Sequence, residues 1–175
     1  MTPENQFVEL DKSTHNRSSF DCGKEELNSF IRQYAARHRD AGISKTYVLP
    51  AKVPVAAKAD ICAFYTLSHT QIARETLPAA LAKKLPQYPV PVMLIAQLAV
   101  HKALKGQGVG KITLISALRQ CLIINEHLPS YAIVVDALDD EAQSYYEQYG
   151  FQILGDHNGR ARLYLPMRTV VQLFG

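Results

Sequence analysis

Three glycines alternate with other residues at 105–111, between an apolar run and a helical pattern. Gly106, Gly108 and Gly110 carry no Cβ, so a ligand can approach the main chain closely and positive φ angles are accessible. The first N–H groups of a following helix have no partners within that helix, and the helix dipole adds partial positive charge. With Lys105 and Lys111 flanking the turn, the segment predicts an anion site suited to phosphate.

Two other nucleotide-binding motifs fit this turn poorly. A P-loop requires glycine five residues before Gly110 and a Ser or Thr after Lys111, but Lys105 and Ile112 occupy those positions. A dinucleotide-binding turn requires its third glycine one residue later than Gly110. A strand-to-helix turn that binds no ligand remains open on these residues alone.

A buried strand must lead into the turn and a helix must leave it. Residues 93–100 are apolar except Gln97, which predicts a strand buried on both faces. Residues 131–138 predict a second buried strand, parallel to the first through a right-handed crossover. The intervening helix should pack one apolar stripe on the sheet. That stripe consists of Val109, Ile112, Ile115, Leu118 and Leu122.

Shorter elements are predicted around this core. Residues 7–42 read as a strand, a loop and a helix that Asp21 caps and Gly42 ends. Residues 46–49 and 59–68 predict an antiparallel pair around a 50–58 connection, and residues 162–167 predict the last strand. The alternation of elements indicates an α/β fold with a mixed sheet. The stripe of the first helix consists of Leu27, Phe30, Ile31 and Tyr34.

The composition predicts one globular domain over residues 1–175. The chain is 47% hydrophobic and 20% charged, and its net charge of +3 permits a nucleic-acid partner without requiring one. Residues 1–12 lack the pattern of a signal peptide, and no run is long enough to span a membrane, so we expect a cytoplasmic protein. Cys22, Cys62 and Cys121 are widely spaced and suggest neither a disulfide framework nor a metal site.

The strand and turn together resemble the acetyl-CoA-binding element of the GCN5-related N-acetyltransferases (GNAT), whose usual form is Gln/Arg-x-x-Gly-x-Gly/Ala. The resemblance implies acetyl-CoA as the acetyl donor. It also implies a mixed, mostly antiparallel central sheet with flanking helices, in which a splayed parallel strand pair forms the acetyl-CoA cleft. The implied binding residues are Leu98, Ala99, Val100, Lys105, Gly106, Gln107, Gly108, Val109, Gly110 and Lys111.

Residues 144–151 resemble a second element of the same family, Phe-Tyr-x-x-Phe/Tyr-Gly-Phe. Tyr146 falls on the family's catalytic tyrosine. Acyl transfer from a thioester expels a thiolate, which a phenol can protonate, and tyrosine keeps its proton at neutral pH because its reference pKa is near 10. Alternatively Tyr145, Tyr146 and Tyr149 are all packing residues. We predict the catalytic role for Tyr146 alone.

Landmarks over nearly the whole chain resemble the acetyltransferase toxins of bacterial toxin–antitoxin modules. These landmarks are residues 20–23, 46–49, 64–68, 89–92, 97–100, 134–137 and 163–167. The resemblance implies acetylation of the α-amino group of aminoacyl-tRNA, a homodimer, and a ribbon-helix-helix antitoxin through which DNA is contacted. Gln97 stands where such toxins often have Arg, and His101 where they often have Asp.

The acceptor amine distinguishes the remaining functions. An α-amino group has a pKa near 7.7–8.0, so it can attack the acetyl carbonyl without a strong base while N–H groups around Leu98 to Val100 hold the carbonyl oxygen. The alternatives are an acetyltransferase for a small amine, a protein N-terminus or a lysine, and a non-catalytic CoA- or nucleotide-binding module. Basic residues that could contact RNA, or simply form solvated helix faces, are Arg32, Arg37, Arg39, Lys83 and Lys84.

Overall fold

A computed structural model describes residues 1–53 and 57–175, so the predicted 50–58 connection lies partly outside the described residues. The strands are β1 Val8–Glu9, β2 His15–Asn16, β3 Lys45–Pro50, β4 Ala59–Ile72, β5 Val90–Val100, β6 Ala132–Asp136, β7 Gln152–His157 and β8 Arg160–Pro166. The α-helices are α1 Glu25–Ser29, α2 Ala35–Asp40, α3 Ala79–Ala82, α4 Val109–Asn125, α5 Asp140–Gln148 and α6 Met167–Phe174. A π-helical turn, Phe30–Tyr34, joins α1 to α2, and 3-10 turns lie at Arg74–Thr76 and Lys102–Leu104.

The strands form a mostly antiparallel sheet in the order β1-β3-β4-β5-β6-β8-β7, with β2 pairing β4. The predicted α/β fold and the antiparallel β3–β4 pair are confirmed. The predicted parallel pair is also confirmed, because β5 and β6 run parallel from Val92↔Ala132 to Ile95↔Val135. Beyond Ile95, β5 continues to Val100 without a β6 partner, which is how a parallel pair begins to separate.

The chain divides into two compact units. The first contains Met1–Ser68 and Ala96–Ala117, and the second contains His69–Ile95 and Leu118–Gly175. The elements β4, β5 and α4 run through both units, and a single domain over residues 1–175 stays a prediction. Within the described part of the chain, no helix combines the length and the apolar character needed to cross a bilayer.

The core of the first unit forms around the helix that follows the Phe20 loop. Phe30 and Ile31 are buried as predicted, and Leu27 packs against the same cluster. Tyr34, by contrast, is 44% exposed, so its place in the predicted stripe is wrong. The π-helical turn is responsible, since its wider turn rotates the following residues relative to a regular α-helix. The cluster contains Leu10, Phe20, Cys22, Phe30, Ile31, Ala35, Val48, Ile61, Phe64 and Ala99.

The second unit is built on β6, whose residues Ala132 to Val135 are fully buried as a two-sided strand requires. The edge strand β7 and the terminal helix α6 were not predicted, and β8 begins before the predicted last strand. The face of α4 also differs from the prediction, because Ile112 is 52% exposed while Leu114 is buried. The three cysteines, Cys22, Cys62 and Cys121, are free and buried.

Candidate active site

The glycine turn is an exposed arch fixed at both ends by buried side chains. Leu104 and Val109 belong to one apolar cluster, together with Cys62 and Ala63 of β4. Between them, residues 105–108 are all exposed. Burying the two flanking side chains holds the arch in place by hydrophobic contact while its main chain faces solvent. The predicted turn is therefore a formed structure with an accessible backbone.

The turn has the backbone conformation that glycine permits. Gly106 and Gly108 both have φ of +77°, and a Cβ at either position would have no heavy atom within 4 Å. The space beside the main chain is thus open to a ligand. Among the described residues, no hydrogen bond forms on the N–H groups of Val109, Gly110 and Lys111, the first three of α4. These donors and the dipole of α4 are suited to an anion, and the anion site stays a prediction.

Two lysines supply full charge beside these donors. Lys105 and Lys111 are exposed, and within the described part of the chain neither forms an ion pair. Gln107 is exposed as well, and its side-chain amide donates to the Ala103 carbonyl at 3.4 Å. Leu98 and Val100 are half-buried and Ala99 is buried. For Ala99, therefore, contact with a ligand would run through the main chain.

The loop around Asp21 supports the arch, a role that its residue pattern did not predict. The prediction that Asp21 caps the first helix is wrong. Lys24 holds the cap position of α1, without a side-chain hydrogen bond. Instead Asp21 Oδ2 pairs with Lys102 Nζ at 2.7 Å, and its Oδ1 accepts from the Gly23 N–H and the Asn28 amide. Hydrogen bonds from Lys102, Gly23 and Asn28 hold the pKa of Asp21 far below its usual range.

Main-chain contacts add to this support. The Lys102 N–H donates to the Asp21 carbonyl at 2.9 Å, and the Asn28 Oδ1 accepts the Cys22 N–H at 2.9 Å. His101 Nδ1 accepts from Ala103 N at 3.1 Å, which starts the 3-10 turn that leads into the arch. The only sequence signal was the tripeptide of residues 21–23, a small polar stretch typical of a tight turn.

Tyr146 lies in the second unit, on α5. Asp139 caps this helix by accepting the Ala142 N–H at 2.9 Å. Gly150 then adopts a φ of +93°, and the Phe151 N–H donates to the Tyr146 carbonyl. This return of the chain sets the Phe151 ring edge-on to the Tyr146 ring, with centroids 5.5 Å apart.

The Tyr146 side chain is 8% exposed, and burial raises its pKa. The phenol therefore carries its proton across the neutral range, as a proton donor must. Among the described residues, the Tyr146 hydroxyl makes no hydrogen bond. It is thus available to a substrate.

The predicted RNA-contacting residues do not form one group. Arg32 and Arg37 line the same surface pocket of the first unit. Arg39 does not, and its Nε pairs with Glu9 Oε1 at 2.7 Å, which offsets its charge. Lys83 and Lys84 lie in the second unit, just after α3, where both are exposed.

Comparison with known proteins gives a family match for the second half of the chain. Residues 90–170 match the acetyltransferase (GNAT) domain family. This part of the chain is therefore similar to a GNAT acetyltransferase domain. Both the glycine turn and Tyr146 lie inside the matched range, whereas the basic residues of the first helix lie outside it.

Similarity to individual proteins extends beyond the GNAT domain match. The tRNA-acetylating toxin of Mycobacterium tuberculosis is 29% identical over 136 residues, which are 78% of each chain. The structure of AtaT complexed with acetyl-methionyl-tRNAfMet has a TM-score of 0.86 at 26% identity, covering 97% of this chain and 99% of that one. The KacTA–DNA complex has a TM-score of 0.77 at 26% identity, covering 97% and 98%. The match to the GNAT domain therefore lies in a chain that is similar to these proteins along nearly its whole length.

Proposed function

We propose that the protein transfers the acetyl group of acetyl-CoA to the α-amino group of aminoacyl-tRNA and so acts as a toxin that blocks translation. The observation that carries this proposal is the similarity, over 97% of the chain, to AtaT complexed with acetyl-methionyl-tRNA. The accessible glycine turn supports it, because free N–H groups at the start of α4 suit the pyrophosphate of acetyl-CoA. Lys105 and Lys111 add charge for the same group.

The residues of this chain divide the reaction between them. The turn holds the cosubstrate, and main-chain N–H groups around Leu98 to Val100 polarise the acetyl carbonyl. The neutral amine attacks that carbonyl, the carbon–sulfur bond breaks, and Tyr146 gives its proton to the departing thiolate. The new amide loses one proton to solvent, and the phenolate takes one back. No general base is needed, because an α-amino pKa near 7.7–8.0 leaves much of the amine neutral.

The acceptor is identified by offering several at once. Protein and labelled acetyl-CoA are incubated with total charged tRNA, with uncharged tRNA, and with a panel of polyamines and peptides. We expect label on the aminoacyl group alone. Label found only on peptides or polyamines would replace the proposal by an acetyltransferase for small or protein amines. Binding of acetyl-CoA without transfer to any acceptor would indicate a non-catalytic binding module.

Salt dependence gives a second readout of the acceptor. Each phosphate contact releases counterions, so the affinity for charged tRNA should fall steeply with salt, whereas that for a small amine should change little. The predicted contacts are Arg32, Arg37, Arg39, Lys83 and Lys84. Arg39 should contribute least, since Glu9 already pairs with it.

The partners follow from the same proposal. A cognate antitoxin of the ribbon-helix-helix type would neutralise the toxin, and DNA would be contacted through that antitoxin. The similarity to the KacTA–DNA complex supports such an assembly. We further propose a homodimer that works in the cytoplasm, where charged tRNA is used. Co-expression with the gene immediately upstream should restore growth if that gene encodes the antitoxin.

A further inference from the structure

The first unit carries a surface pocket of about 390 Å³ whose walls are strongly basic. Four cationic side chains line it, and they come from the loop before the first helix and from the helix itself. Asp40 is the one carboxylate among the lining residues. None of the glycine-turn residues contributes to it. The cations of this basic pocket are Lys12, Arg17, Arg32 and Arg37.

The π-helical turn places two of these arginines together. In an α-helix, residues five positions apart point about 140° away from each other, since each residue advances the helix by about 100°. Here the Ala35 N–H donates to the Phe30 carbonyl, five residues earlier, so this turn is wider than an α-helical turn and contains an additional residue. Arg32 and Arg37 both line the pocket, and the wider turn brings their directions closer together than a regular α-helix would.

Two of the four charges are held in place by hydrogen bonds, and three of the four form no ion pair within the described residues. The Arg32 guanidinium donates to the Phe20 carbonyl, and Arg17 donates to the Arg32 carbonyl at 3.4 Å. The Arg32 Nη1 also lies 4.0 Å from the exposed carboxylate of Glu25. Within the described residues, Lys12, Arg17 and Arg37 form no ion pair. Like charges confined in this way repel one another, and a bound anion relieves that repulsion.

We propose that the basic pocket binds a backbone phosphate of the RNA acceptor. The inference rests on the proposed function and assigns Lys12 and Arg17 to RNA binding. Arginine forks match the geometry of phosphate oxygens, so two arginines and a lysine can surround one phosphodiester and its sugar. Four cations exceed the charge of a single phosphodiester, which suits the strong field of a polyanion. The pocket would fix the position of the RNA without reading its sequence.

Direct binding of uncharged tRNA tests the pocket without requiring acetyl transfer. We expect Arg17→Gln and Arg37→Gln each to raise the Kd about tenfold, the effect of one lost charge-assisted hydrogen bond. Each should also reduce the salt slope of binding by about 1. Lys12→Gln, at an exposed side chain without an ion pair in the described residues, serves as a third variant should an arginine variant unfold. Arg17→Lys should recover part of the tRNA affinity that Arg17→Gln loses.

The matched control is Arg168→Gln, which removes the same charge from an exposed position on α6. Equal Kd values for this control and the pocket variants would overturn the inference. So would a raised KM for acetyl-CoA in place of a raised Kd for tRNA. If the wild type binds tRNA through the pocket but labels only peptides, the proposed function fails and the pocket stands. If the wild type labels charged tRNA while the pocket variants bind tRNA normally, the inference about the pocket fails and the proposed function stands.

Discussion

Two adjacent tyrosines of α5 have different surroundings. Tyr146 is buried against Phe151, whereas Tyr145 is half-buried, and its ring centroid lies 5.1 Å from that of Tyr149. Burial raises the pKa of both phenols, so their acidity does not distinguish them. Their packing differs, because the Tyr145 ring contacts Tyr149 as well as Tyr146, while the Tyr146 ring contacts Phe151. Neither hydroxyl makes a hydrogen bond among the described residues, so Tyr146 as the proton donor stays a prediction from its place in the motif.

Replacement of Tyr146 by phenylalanine should separate chemistry from binding. Tyr146→Phe keeps the ring that packs on Phe151, so the acetyl-transfer rate should fall by roughly 10²–10⁴ while acetyl-CoA affinity changes little. Single-turnover kinetics and calorimetry measure the two quantities. Tyr145→Phe is the matched control and should stay near the wild-type rate. A larger loss of rate in Tyr145→Phe than in Tyr146→Phe would show that Tyr146 is not the proton donor.

The pH dependence of the rate should follow from the raised pKa of Tyr146. The rate should increase with pH up to about 8, as the acceptor α-amino group loses its proton. A raised phenol pKa moves ionisation of the acid above its ordinary value near 10, so no loss of rate from this group should follow below that pH. The measurement is kcat/KM between pH 6 and 10. A falling limb below pH 9 that Tyr146→Phe abolishes would contradict this assignment.

The glycine turn keeps its shape and stays accessible, because its two ends are buried and its middle is exposed. Leu104 and Val109 fix the ends, and the Asp21–Lys102 ion pair ties the preceding 3-10 turn to a neighbouring loop. The exposed main chain can then present its N–H groups without folding around the ligand first. Preorganised donors of this kind reduce the ordering cost of binding.

Blocking the turn should abolish cosubstrate binding. Gly108→Val adds a branched side chain in the open space at a φ of +77°, so we expect a large loss of acetyl-CoA affinity by calorimetry. Gly42→Val is the matched control, because Gly42 has a φ of +75° and the same open space. Both variants should lose about 1–2 kcal/mol of stability from the left-handed backbone. Equal acetyl-CoA affinity in the two variants would refute the site assignment.

A buried histidine should make the loop before the first helix sensitive to pH. His15 is 6% exposed, and its Nδ1 accepts the Asp11 N–H at 3.0 Å. Desolvation lowers its pKa, so the unfolded chain binds a proton first as pH falls below about 6.5. Stability should therefore be highest above that pH and decline below it.

Thermal unfolding between pH 7.5 and 5 measures this decline. In His15→Asn, whose side-chain oxygen can accept the same N–H, the decline should be smaller. His127→Asn, at an exposed position after α4, should keep the wild-type pH dependence. Identical curves for His15→Asn and the wild type would show that another group is responsible.

The elements that sequence predicted well are those whose pattern has one explanation. A two-sided apolar run gave β5 and β6, and alternate glycines gave the turn. The failures depend on tertiary contacts. Asp21 is of a residue type that often caps helices, but in the structure its carboxylate pairs with Lys102. Tyr34 would belong to the apolar stripe of a regular helix, but the π-helical turn changes the direction of its side chain. The edge strand β7 is almost wholly exposed, so it lacks the alternation that identifies a strand.

At the scale of the whole molecule, the net charge is only +3, but the positive charges are unevenly distributed over the protein. Four cations gather in the basic pocket, and two more flank the glycine turn. Long-range steering of a polyanion depends on such local fields more than on the total. A particle with two copies of each site would hold a large RNA more firmly than one copy can.

The proposed homodimer is testable by mass. Sedimentation equilibrium should give twice the 19.5 kDa mass of the chain across micromolar concentrations. Repeating the run with the Arg168→Gln and Arg17→Gln variants should give the same mass, because neither change is proposed to affect assembly. A mass of one chain at all concentrations would contradict the dimer and leave the chemistry of the single chain unaffected.

The π-helical turn of the first helix has a consequence for how sequences of this kind compare. Such a turn behaves as one extra residue in an otherwise regular helix. Deleting Gln33 would leave Arg32 and Arg37 four positions apart, the spacing that keeps two side chains on one face of an α-helix. We therefore expect this single deletion to be tolerated, although a deletion elsewhere in a helix rotates everything after it by about 100°. Related sequences one residue shorter here can keep the pocket, and an alignment that forbids gaps in helices would misplace its arginines.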